Sequence, residues 1–545
     1  VLTEADRRAG QRAMLWDGAF SQTMSSLTSG VILAGFALAL GADDAAIGLL
    51  AAIPFLAQVA QLGAVAWMDR FGDRKALVVW GSVAARLLLL AMAALPYLGL
   101  DAPRVRLLLA LLLAYAVLAT LSGAAWQVWV RELVPRDRLG RYFGLRMAVT
   151  SAVGLVATLA AGALVSAWRG DALAPYALLF ALGTAAGLAS SGVLARAPAA
   201  EGLPVDKRSL LASLRAPLRD ANARRVLLFL GAWGFAANLA LPFVSVVLLR
   251  TLGYSVLLVA ALSASSQLAY ILGLRLWAPL TDRFGNRPVL GLAGSVFVVI
   301  ILLWALVPKI PGLAILAAAA LLHLVLGFAN AGLDVASNGL VMRLPTSEAE
   351  APAFLAGASI VKSLASGAAP LLGGLAASTW LAGRTLRVDL SWIGPGASHA
   401  VTALQLTQHD FLFLASALVG LYALHRLLGF HEQGEARPVE VARAMRREIG
   451  SPNTIAGARA FAHVASYLVE AAYRFAGSDR REALVGATRE PEGSSAEHLE
   501  LDRGLPMRRE REAELQTKRE QRVDVEDPRD HAEQSPGIRR AHGRA

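Results

Sequence analysis

Long apolar runs alternate with short polar ones along most of this chain. The apolar runs lie near residues 16–40, 46–68, 76–98, 105–130, 144–168 and 174–195, then 225–250, 256–280, 288–308, 313–342, 353–381 and 410–429. Each holds about 20 residues or more, which at roughly 1.5 Å per residue crosses a ~30 Å hydrocarbon core. The pattern predicts an all-α membrane protein with twelve transmembrane helices. The polar interval 196–224, rich in Arg and Lys, divides them into two six-helix halves, 16–195 and 225–430. Residues 1–15 read as a short polar arm, and 382–409 as a long irregular outer loop. Beyond Phe430, residues 431–477 hold two amphipathic helices expected to lie in the membrane interface. The Arg/Glu/Asp/Gly-rich stretch 478–545 has the composition of a disordered tail.

Composition narrows the class. Of 545 residues, 56% are hydrophobic and 17% charged, and none is cysteine, which excludes disulfides and thiolate metal sites. The net charge of +11 resides mainly in loops and tail, so anionic lipid explains it better than nucleic acid. Lys and Arg are several times denser in the arm and the loops on its side than in the opposite loops. That bias places both termini in the cytoplasm, and the Ala/Arg/Leu-heavy composition fits a multi-pass protein of a bacterial inner membrane. No phosphate-binding loop, HExxH pair or nucleophile elbow is present, so the sequence argues against an enzyme and calls for no cofactor or metal.

A short charged turn recurs between apolar runs. It reads Asp69-Arg70-Phe71-Gly72-Asp73-Arg74 in the first half and Asp282-Arg283-Phe284-Gly285-Asn286-Arg287 in the second. Six or so residues between two spans make them antiparallel neighbours, and Gly72 and Gly285 permit a left-handed backbone. A charged turn repeated at the same place in two hydrophobic halves indicates internal duplication. These residues resemble the signature that the major facilitator superfamily carries between its second and third helices, with a weaker copy between the eighth and ninth. Two positions depart: Val65 stands where the family has its first glycine, and Asp73 where it has an arginine. A second stretch, 126–146, is similar to the family's P-x-x-x-R-G element at Pro135 and Arg138, with glycine displaced to position 140.

The resemblance implies two pseudo-symmetric bundles rocking about a midplane site, and an inner gate formed at the basic turns. Asp69, Arg70, Gly72, Arg74, Arg131, Glu132, Arg138, Arg141, Asp282, Arg283, Gly285 and Arg287 are its candidates; the bland alternative is positive-inside topology alone. Charges within apolar runs are costly unless they face a partner or a cavity. Asp334 and Lys362 lie at equal depth on consecutive spans, which allows either a coupling pair or a static one. Arg86 sits near mid-depth, where it can bind an anionic substrate or pair with Asp17. His323 is a packing residue or a proton relay. The family's cavity-lining helices would also bring Gln22, Ser26, Gln127, Asn238 and Asn330 to the substrate, or leave them to interhelical hydrogen bonds. These mostly neutral groups favour a neutral or weakly charged substrate. The expected function is secondary active transport of a small molecule, with protons as the candidate coupling ion and membrane lipid as surroundings. A non-transporting binding or receptor protein on the same fold is the rival.

Overall fold

The computed structural model describes residues 3–64, 67, 73–97, 104–134, 139–198, 221–343, 351–394, 397–429, 440, 441, 443 and 444. The first half comprises α1 (Glu4–Thr28), α2 (Gly30–Ala39), α3 (Asp44–Leu56), α4 (Arg74–Ala94), α5 (Arg104–Leu133), α6 (Leu139–Ala167) and α7 (Ala174–Arg196). The second comprises α8 (Ala221–Val246), α9 (Val256–Phe284), α10 (Asn286–Trp304), α11 (Ala314–Arg343), α12 (Ala351–Ser378) and α13 (Gln408–Leu427). Twelve spans in the described residues are long and apolar enough to cross a membrane, with α1 and α2 forming one broken span. The break is at Ser29, whose backbone is extended, and Gly30, at φ +57°. Below, the end of the bundle that carries the arginine-rich turns is called inner and the opposite end outer.

The helix starts follow local chemistry. Thr3 and Asp6 form a capping box, so α1 is already helical from Glu4, within the polar arm. Asp73, the departure from the family pattern, accepts a hydrogen bond from the Ala76 amide at 2.8 Å and so caps α4. Gly285 takes φ +90° at the α9–α10 turn, a conformation that favours glycine.

Each half has its own packing. In the first, α1 lies against α6 and α7, and α4 against α5 and α7. In the second, α9 lies against α11, α8 against α12 and α13, and α10 against α11 and α13. Between the halves, α3 meets α12 and α6 meets α9. These two seams are images of each other under the duplication: the second span of each half faces the fifth span of the other.

The expected irregular outer loop is instead an antiparallel hairpin, β1 (Leu386–Gly394) with β2 (Ala397–Leu406), bulged between Val388 and Asp389. Its sequence alternates: Leu386, Val388 and Leu390 share one face with Leu406 and Leu404, while Arg387 and Asp389 lie on the other. Of the glycines and proline that suggested irregularity, Gly383 precedes β1, at φ +66°, and the others stand at 394–396 in the sequence. Thr402 and Arg387 both donate to the Asp389 carboxylate, at 2.7 and 2.9 Å, and hold its pKa below the ordinary value. The expected interfacial helices lie almost wholly outside the described residues, and the 478–545 tail lies entirely outside them.

Candidate functional site

Two polar constructions stand out, one at the outer end and one within the first half. At the outer end α3 and α12 approach so closely that glycine is required. A Cβ on Gly48 would overlap the Pro370 carbonyl oxygen and sit 2.9 Å from Gly374 Cα. One on Gly374 would overlap the Asp44 carbonyl oxygen. Small residues permit such backbone approach within a membrane. Beside this seam Asp44 is 3% exposed. It accepts from Arg250 at 2.8 Å and from Gln408 at 2.7 Å, and His409 Nε2 lies 3.2 Å away. Arg250 also donates to the Ala42 carbonyl at 2.5 Å. It is presented by a π-helical turn, Val247–Thr251, that ends the α8 span. On the paired seam Ser166 at the end of α6 accepts from the Leu257 amide of α9 at 2.9 Å. Asp44, Arg250, Gln408 and His409 thus tie the first half to the second.

Within the first half lies a cavity of about 200 Å³ between α1, α4 and α5, reaching α6 and α7. Asp17, 4% exposed, accepts from Ser190 at 2.7 Å, Ser21 at 3.2 Å and Arg146 at 3.3 Å. Arg86 donates to Ser191 at 2.7 Å and Ser190 at 3.1 Å. The expected Arg86–Asp17 pair is therefore relayed through Ser190, and the direct ion pair of Asp17 is with Arg146. Arg146 also lies over the Trp126 ring, 4.5 Å from its centroid, and donates to the Met14 carbonyl.

The other expected residues are dispersed. Asp334 accepts from Tyr270 of α9 at 3.2 Å. Among the described residues it makes no ion pair with Lys362, which is exposed and has its stem over Gly234 of α8. Counting residues gives depth along a span but does not fix azimuth: α11 faces α9 and α10 more than α12. Ser26 donates to the Gly154 carbonyl at 3.3 Å, Gln22 packs on Gly154, and Asn238 donates to the Gly234 carbonyl of its own helix at 2.9 Å. Asn330 is half-buried and Gln127 exposed. His323 bonds the Ala319 carbonyl at 2.9 Å and sits edge-on to Trp304, a packing arrangement.

At the inner end Asp282 pairs with Arg343 at 3.0 Å, Arg283 lies over Phe284, and Arg287 donates to the Leu427 and Leu428 carbonyls that end α13. Arg74 is buried at the start of α4. Asp69, Arg70, Gly72 and Arg138 lie outside the described residues, as do the side chains of Arg131, Glu132 and Arg141. Sequence reasoning passed over Asp44, Arg250, Gln408 and His409. Their signal was an acidic pair, Asp43–Asp44, in an outer loop otherwise poor in charge.

The sequence matches the family model for the Major Facilitator Superfamily over residues 15–370. No protein of curated function matches it by sequence. The solved structure of the nucleoside transporter NupG aligns at TM-score 0.55 and 14% identity, covering 76% of this chain and 98% of that one. A D-xylose-proton symporter aligns at 0.57 and 14%, covering 79% and 99%. A bacterial homolog of the human lysosomal transporter Spinster, inward-facing and unoccupied, aligns at 0.53 and 17%, covering 87% and 98%. At these identities the structural likeness concerns the fold alone, and the family model describes a multi-pass membrane protein. The chain belongs to the Major Facilitator Superfamily and is a transporter of a small molecule.

Proposed function

We propose that the chain is a secondary active transporter working by alternating access, its halves 16–195 and 225–430 rocking about a midplane site. The observation that carries this reading is the character of the outer seam. It joins the halves through close glycine packing and an ion cluster around Asp44, contacts that separate without exposing a large apolar core. The same reading makes the arrangement outward-closed. It assigns the inner gate to the basic turns, with Asp69, Arg70, Arg131, Glu132, Arg138 and Arg141 meeting when the outer seam opens.

Protons are the candidate coupling ion. Asp334, half-buried and bonded to a tyrosine instead of a fixed cation, is the carboxylate placed to bind and release one. Both termini are assigned to the cytoplasm, and the membrane to a bacterial inner membrane.

The test uses the cysteine-free background. Spin labels at Ala167→Cys and Leu313→Cys, exposed outer positions on opposite halves, report their separation by double electron–electron resonance. In proteoliposomes the distance distribution should gain a longer population when an inward-directed proton gradient is applied, and Asp334→Asn should remove that response. A single invariant distance under every gradient and pH would refute alternating access.

A further inference from the structure

We propose that the cavity between α1, α4 and α5 is a binding site for a small oxyanion, a carboxylate- or phosphate-class solute, and that this solute is the transported substrate. The inference rests on the transport reading above and adds the substrate class.

Charge is the first ground. Among the described lining residues Arg86 and Arg146 are cationic and only Asp17 is anionic. Asp17 is occupied by Arg146 and two serine hydroxyls. Arg86, 6% exposed, donates only to the neutral hydroxyls of Ser190 and Ser191 and shares the one carboxylate, Asp17, with Arg146 through Ser190. A guanidinium buried at membrane depth is unfavourable without a compensating anion.

The donor inventory is the second ground and is independent of net charge. Two buried N–H groups on the lining have no partner: Arg86 Nε and Trp126 Nε1. Neither can accept a hydrogen bond, so both require an acceptor. Buried donors are otherwise nearly always paired. A ligand with several acceptor oxygens and a negative charge meets both demands at once, which neither a neutral sugar nor a cation does.

Size and depth are the third. About 200 Å³ lies below the roughly 300–1,000 Å³ of sites for drug-sized ligands. Arg86 is twelve residues from Arg74 at the inner end of α4, so it lies roughly 18 Å deep, near the midplane, and every lining residue belongs to the first half. The neutral substrate suggested by the sequence assumed that the amides and hydroxyls were the lining, whereas Ser26 and Asn238 are engaged with helix carbonyls.

The test uses the purified full-length chain in phosphatidylcholine nanodiscs. Lactate, succinate and inorganic phosphate are titrated as sodium salts against lactamide, the neutral isostere of lactate. Trp126 in the lining supplies an intrinsic fluorescence signal, and the melting midpoint a second readout. At least one oxyanion should give a saturable change in both, with lactamide inert. Arg86→Gln should weaken that binding roughly ten- to hundredfold, the scale of a hydrogen bond to a charged group, and Arg86→Lys by less.

If Arg86→Gln does not fold, Trp126→Phe, read by melting, keeps an aromatic ring and removes the donor; it should weaken binding several-fold. Equal responses to lactate and lactamide, no saturable response to any oxyanion, or undiminished affinity in folded Arg86→Gln would each overturn the proposal. So would a response seen only with phosphatidylglycerol in the disc, which assigns the site to a lipid headgroup. Failure of oxyanion binding while the outer spin-label distance still responds to the gradient refutes the substrate class alone. Binding without any change in that distance refutes transport and leaves the site.

Discussion

Replacing Gly48 with alanine adds one methyl group where α3 and α12 have no room for it. The new Cβ would overlap the Pro370 carbonyl oxygen and lie 2.9 Å from Gly374 Cα. Ordinary carbon–carbon contact is about 3.5–4.0 Å, so the helices must part by roughly 1 Å in the outward-closed state. Both obstructing atoms are backbone, which cannot swing aside as a side chain does. Overpacking of this kind costs about 1–3 kcal/mol. If the outward-open state separates α3 from α12, the methyl group meets nothing there. The whole penalty then appears as a shift between the two states, roughly 5- to 150-fold in their ratio. The spin-label pair at Ala167→Cys and Leu313→Cys reads that ratio directly. Gly48→Ala should raise the long-distance population without a gradient. Gly374→Ala should do the same, with the double variant adding less than the sum because both act on one approach. A folded Gly48→Ala protein whose distance distribution matches the parent's would refute the reasoning, since the seam would then yield locally without involving the halves.

Other expectations concern charge. Asp44→Asn leaves Arg250 and His409 without their carboxylate. Removing one partner of a fully buried pair costs about 3–5 kcal/mol, but Arg250 is 41% exposed, so about 1–2 kcal/mol is expected. It should appear as a rise in the same long-distance population, and an unchanged distribution would remove the cluster from the gate. Arg343→Ala should leave the melting midpoint unchanged: its pair with Asp282 is 50% and 77% exposed, and such pairs contribute about 0–1 kcal/mol. A clear loss of stability would show that this exposed contact reports a larger network. The β1–β2 hairpin should have its own acid limit. Asp389 has its pKa lowered by Thr402 and then Arg387, so its stabilising contribution is present above about pH 4, the unfolded-state pKa, and is lost as pH falls through the lower folded value. Hydrogen exchange at the Arg387 and Thr402 amides, corrected for intrinsic rate, should therefore hold steady from neutral pH to about 4 and accelerate below. Acceleration already near neutrality would contradict the assignment.

The architecture was legible because a membrane span leaves a coarse mark. Twenty apolar residues are needed whatever their order, and the repeated Asp-Arg-Phe-Gly turns at 69–72 and 282–285 fixed how the spans pair. The site was less legible because a site depends on azimuth and on partners distant in sequence. Asp334 and Lys362 share a depth, and depth follows from counting. Which way each points depends on how α11 rotates against α9, and no local pattern records that. Ser190 and Ser191 drew no attention because serine in a span commonly bonds its own helix, yet they connect Arg86 to Asp17. The hairpin at 386–406 was hidden differently: alternation is clear from Leu386 to Leu390, but the register shift opposite Val388–Asp389 offsets the partner strand, and Gly394-Pro395-Gly396 reads in the sequence as a break.

The outer seam and the first-half cavity together impose one requirement on a working cycle. Gly48 and Gly374 give the seam its fit through dispersion, which loses about a quarter to a half of its strength within the first 0.5–1 Å of separation. The Asp44 cluster acts over a longer distance and is strengthened by the low-dielectric surroundings. A seam with only the glycine contact would have little to draw it shut once open, and one with only the charges would close without register. Having both makes closure directed and opening abrupt. Arg146 of the cavity belongs to α6, the helix whose outer end meets α9 through Ser166 and Leu257. A solute that draws Arg146 away from Asp17 therefore acts on the same rigid helix that closes the second seam. Such coupling needs no chain of intermediates, only that α6 move as one body between two packed positions. It makes a specific demand: Ser166→Ala, far from the cavity, weakens seam closure and should therefore shift the oxyanion affinity, by no more than the factor by which the oxyanion alters that closure.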